Sequence, residues 1–133
     1  MAPPIQHLEL PRHPGAAVRA RQATSRFLGE AVHRGQKVTP AAADITLLVV
    51  SELVTNAVRH TRGPCVLDLA VSDGAIWIGV TDTSPTPPQP RPPHVEGSGG
   101  WGWILVNHLA QHITVRPSPH GGKTIHARIH ATV

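Results

Sequence analysis

The sequence predicts an α+β fold, a mostly antiparallel sheet with helices packed on one face. Three observations predict it. Two alternating runs, Cys65 to Ser72 and Ala75 to Asp82, are joined by Asp73-Gly74, a two-residue hairpin signal. Two stretches with apolar residues at three- and four-residue steps come before them. The helices are also too few and too unevenly placed for a doubly wound parallel sheet. The chain has 133 residues, 40% of them hydrophobic, which suits one core and therefore one domain over 1–133.

The elements follow in order. Ile5 to Leu10 alternates weakly and stops at Pro11, as a short strand does. His13-Pro14-Gly15 opens a helix on which Ala16, Ala20, Ala23, Phe27 and Ala31 share a stripe, and Gly35 stops it. Thr39-Pro40 starts the second helix, with Thr as cap and Pro at the first helical position. That helix runs to about Thr61, where Gly63-Pro64 ends it. After the hairpin, Ser84 to Gly100 holds Pro85, Pro87, Pro88, Pro90, Pro92 and Pro93, which excludes helix and central strand. A loop of this length in a compact domain reads as a lid, at about 84–100. A helix over Trp103 to His112, a strand over Ile113 to Arg116, a turn from Pro117 to Gly122 and a strand over Lys123 to Val133 complete the order β-α-α-β-β-loop-α-β-β.

Composition excludes several classes. Lys+Arg is 12 and Asp+Glu is 8, a net charge of +4, but the basic residues are scattered. Aromatics are 3%, poor material for base stacking, so a basic nucleic-acid-binding domain is the weakest reading. No apolar run approaches the roughly 20 residues of a membrane helix. Met1 to Leu10 lacks a basic region followed by a long apolar stretch, so no secretory leader is expected. Cys65 is the single cysteine, which excludes an internal disulfide and fits a cytoplasmic location. His108 and His112 stand four apart on an expected helix, but two ligands do not complete a metal site.

Three features sit awkwardly in a plain core. On the second helix Ile45, Leu48 and Val49 define an apolar stripe, and Glu52 and Asn56 fall within it, one turn apart. They are either a half-exposed helix edge, a satisfied polar pair, or a site. On the second hairpin strand Ile76, Ile78 and Val80 share a face with Asp82 at its end. That Asp either starts a turn or receives a donor such as an exocyclic amine. Gly97-Ser98-Gly99-Gly100-Trp101-Gly102 runs straight into a helix, where free backbone N–H groups favour an anion. The P-loop and dinucleotide fingerprints are absent. Together with a Thr entering the last strand, these pieces describe a nucleotide site. Asn can bind Mg²⁺ through its carbonyl, Glu can polarise a hydroxyl, and Asp can hold the adenine amine.

In these motifs the sequence resembles the Bergerat ATPase domain shared by gyrase and histidine kinases, and most of all the anti-sigma factor serine kinases. Ser51-Glu52-Leu53-Val54-Thr55-Asn56-Ala57-Val58-Arg59-His60 resembles the N-box, Val80-Thr81-Asp82 the G1 box, Gly100-Trp101-Gly102-Trp103-Ile104-Leu105-Val106 the G2 box, and Gly121-Gly122-Lys123-Thr124 the closing Gly-Thr element. The resemblance implies a two-layer α/β sandwich with a mixed sheet. It implies ATP and Mg²⁺ as cofactors, with Glu52 as general base and Asn56 as Mg²⁺ ligand. It further implies Asp82 on the adenine amine, helped by Thr124 through water, and Gly100 and Gly102 along the phosphates. It implies a sigma factor and a serine-bearing anti-anti-sigma protein as partners, and hence a role in transcription regulation. The family commonly dimerises, so a homodimer is carried over with it. The G1 box departs from the family, which continues Asp-x-Gly where this chain has Asp82-Thr83-Ser84. Glu52 favours a protein serine/threonine kinase. The altered G1 box and Pro-rich lid favour the alternative, a non-catalytic ATP-binding interaction module.

Overall fold

The computed structural model describes residues 5–84, 102–119 and 121–133. The strands are β1 (Ile5–Leu10), β2 (Cys65–Ser72), β3 (Ala75–Asp82), β4 (His112–Pro117) and β5 (Lys123–His130). The helices are α1 (Ala16–His33), α2 (Pro40–His60) and α3 (Gly102–Leu109). The sheet order is β1-β2-β3-β5-β4, and all four pairings are antiparallel. Among the described residues the sheet is therefore purely antiparallel where the resemblance implied a mixed one.

Local chemistry accounts for the elements. Thr39 caps α2 by accepting from the Ala42 amide at 3.1 Å, and Pro40 follows at a position where no N–H is needed. Asp73 and Gly74 both take positive φ, 54° and 74°, the backbone of the tight turn that matches strand twist. Burial alternates strictly along β2 and β5, so one face of the sheet is packed and the other is not. Leu67, Val71, Ile76, Ile78, Val80, Ile125 and Ile129 point inward against Val49, Val50, Leu53 and Val54 of α2. Each such side chain contributes roughly 1.5–3 kcal/mol by leaving water. Helix α2 lies over β2, β3 and β5, flanked by α1 and α3.

Two expectations change. Helix α3 ends at Leu109 and His112 begins β4, so His108 and His112 do not share a helix face. No group of three metal-ligating side chains exists among the described residues. Helix α2, at 21 residues and mean hydropathy 1.5, is by length and composition apolar enough to cross a membrane, contrary to the sequence expectation. Here its seven buried residues are spent on the sheet and α1, as in a core helix.

Candidate functional site

The topology gathers the motif residues at one end of the sheet. Helix α2 finishes there, β2 starts there at Cys65, and β3 ends there at Asp82. Strand β5 starts there too, with Lys123 the register partner of Asp82. Residues Ala110 and Gln111 reverse the chain between α3 and β4, which puts Gly102, the first residue of α3, toward the same end. Gly100 and 85–100 of the expected lid lie outside the described residues.

Glu52 and Asn56 are half-buried. The buried centre of α2 is Ala42, Thr46, Val49, Val50, Leu53, Val54 and Ala57. Two residues of the expected stripe lie on its flank, with Ile45 half-buried and Leu48 40% exposed, while Val49 belongs to the centre. Wheel geometry at about 100° per residue puts Glu52 and Asn56 on that flank. Neither side chain makes a hydrogen bond or ion pair with another described residue. Of the three alternatives the sequence left open, the satisfied buried pair is the one this arrangement does not fit. Two half-buried polar groups, one turn apart and uncommitted, are what a polar ligand would need.

Asp82 is differently placed. It is 5% exposed, and the Lys123 ammonium lies 2.8 Å from Oδ2 and 3.1 Å from Oδ1. The Ser84 amide donates to Oδ1 at 2.9 Å, and Lys123 Nζ also donates to the Ser84 carbonyl at 3.3 Å. Asp82 and Lys123 are the only buried charged residues among those described. Gly122 permits their meeting, because a Cβ there would fall 1.9 Å from the Asp82 carbonyl oxygen. Cys65 registers the site's charge: burial first, and the Asp82 carboxylate second, push its thiol up to about 11.

Thr124 is not brought to Asp82. Strand alternation turns it to the outer face, where its hydroxyl meets that of Thr81 at 2.7 Å. The residue facing Asp82 is Lys123, which the sequence places at the start of the last strand and to which no role was given. The two-residue alternation back from Ile125, which is buried, could have found it.

A model of the histidine kinase-like ATPase domain matches residues 13–129. The chain belongs to the histidine kinase-like ATPase domain family. For this ATPase domain the family implies ATP as ligand, and the donor set fits. It offers an inward carboxylate for an amine, an amide and a carboxylate on one helix flank, and a helix N-terminus at the same end. Among solved structures, the RsbU and RsbW domains of Rv1364c from Mycobacterium tuberculosis superpose with a TM-score of 0.70 at 22% identity. The match covers 95% of this domain and 32% of that chain, so the ATPase domain spans about a third of the length of that structure. At this identity the likeness is one of fold. Comparison with curated proteins gives no match.

Proposed function

We propose that this ATPase domain is an ATP-dependent regulatory protein kinase, which binds a sigma factor and phosphorylates a serine on that factor's antagonist. The observation that carries it is the uncommitted Glu52 and Asn56 pair on the α2 flank, at the end of the sheet that holds Asp82. When bound, ATP supplies the γ-phosphoryl group. Asn56 would hold Mg²⁺ through its side-chain carbonyl oxygen, and the amide of Gly102 at the start of α3 would face phosphate. Asp82 would accept the adenine amine. Glu52 takes the proton from the attacking serine hydroxyl as the Oγ–P bond forms and the bond to the departing ADP oxygen breaks.

Incubation with labelled ATP and a serine-bearing antagonist tests the reading. Glu52→Gln keeps the shape of the side chain but cannot take a proton, so transfer should fall ~10²–10⁴-fold with nucleotide affinity little changed. Unchanged transfer would make Glu52 a structural carboxylate. A second reading, a non-catalytic ATP-binding interaction module, is favoured by one feature. No described residue hydrogen-bonds Glu52 to orient it as a base. ATP binding without transfer to any partner would select that module.

A further inference from the structure

The Asp82–Lys123 pair has no part in the roles assigned so far beyond holding one carboxylate in place. Its hydrogen bonds nevertheless decide what that carboxylate can recognise. An ionised carboxylate offers about four lone-pair sites, and an ammonium has three N–H donors. Lys123 spends one donor on Oδ2, one on Oδ1 and one on the Ser84 carbonyl. The Ser84 amide takes a second site on Oδ1. Among the described residues Oδ1 is thus saturated, and Oδ2 keeps one acceptor site.

Purines differ in how many donors they bring. Adenine offers a single exocyclic amine on its six-position edge. Guanine presents two adjacent donors, the ring N1–H and the 2-amine, a pair that an unencumbered carboxylate accepts with both oxygens. Hypoxanthine has the N1–H but no 2-amine. A carboxylate with one site left suits a single donor and leaves the second guanine donor buried and unpaired, which is the costly outcome. The ion pair also persists when a base arrives, because breaking a buried pair leaves an uncompensated charge.

We propose that Lys123 is a specificity-determining residue of the base pocket: it occupies the Asp82 acceptor sites that guanine would need and leaves one, on Oδ2, for a purine with a single donor. This rests on the nucleotide-binding reading above and adds the residue that excludes guanine.

Calorimetric titration of the full chain with ATP, ITP and GTP in Mg²⁺ tests it, on the parent, Lys123→Met and Lys123→Arg. The parent should bind ATP more tightly than GTP by about tenfold or more, and ITP more tightly than GTP. Lys123→Met frees both carboxylate oxygens and should shrink the ATP-to-GTP preference by about tenfold. Lys123→Arg still donates to both oxygens and should retain the preference. A purely structural lysine would lower stability and weaken ATP and GTP alike, so an unchanged ratio in a folded Lys123→Met overturns the proposal. Should that variant not fold, the parent decides, and ITP binding no tighter than GTP overturns it. A parent that binds none of the three overturns the nucleotide reading and this inference with it.

Discussion

Two acidic side chains on neighbouring strands each meet a nitrogen-bearing side chain, with opposite consequences. Asp82 and Lys123 face the helices, with side chains 2% and 4% exposed. Asp68 and His7 face away from them, 50% and 65% exposed, with His7 Nδ1 2.5 Å from the carboxylate. The second contact is the shorter, yet water surrounds it and can replace either partner. The first has no such replacement. Exposure therefore separates a pair that fixes a site from one that decorates a surface, and distance does not.

The largest expected effect comes from breaking the buried pair on one side. Lys123→Met should cost about 3–5 kcal/mol, because Asp82 is left buried with no counter-charge beside it. Removing both, as in Asp82→Leu with Lys123→Met, should cost clearly less than the two single losses together. Denaturant unfolding of the four proteins measures this. A single-variant loss below about 1 kcal/mol would mean that solvent reaches the pair and that the contrast with the outer face is false.

The buried charge can also be sensed from Cys65, whose thiol is held up at about 11 against an ordinary 9.0. In the unfolded chain that thiol ionises near pH 9, while in the folded chain it keeps its proton until about pH 11. Its contribution is therefore complete below pH 9 and is lost as pH rises to about 11, amounting to about 2–3 kcal/mol. Other groups titrate in the same range, so the measurement is the difference between parent and Cys65→Val in unfolding free energy at pH 8.5 and 10.5. Equal alkaline losses in the two proteins would remove Cys65 from the buried, charge-facing position.

The same contrast explains what the sequence could and could not tell. Strand alternation and turn chemistry are local, so β1, the Asp73-Gly74 hairpin, the Thr39 cap and the stop at Gly35 were all legible. The inward face of Asp82 was legible too, because Ile76, Ile78 and Val80 set the period. Alternation back from Ile125 turns Lys123 inward too, but that the two meet was not legible, since their pairing depends on the β3–β5 register across 41 residues. Gly122 gave no hint either: its need for a bare Cα arises from a carbonyl on another strand. Glu52 and Asn56 were placed on an apolar stripe, but Ile45 and Leu48 of that stripe proved to lie on a flank. The centre of the buried face includes small and polar residues, Ala42, Thr46 and Ala57, which a hydrophobicity count undervalues.

The smallest effect should come from the outer pair. Asp68→Ala removes the carboxylate from His7, and both groups then regain full hydration. The loss should stay below about 1 kcal/mol and shrink further as salt is raised. Nucleotide affinity should not change, because Asp68 lies in the cross-strand row of His7, Gly79, His126 and Thr114 on the face away from the helices, opposite the face of Asp82. Denaturant unfolding at low and high salt, with a parallel ATP titration, measures both. A stability loss above about 2 kcal/mol would place Asp68 in a network that exposure does not reveal. A drop in ATP affinity would carry the site through the sheet to its outer face, where the Thr81–Thr124 hydroxyl pair already lies.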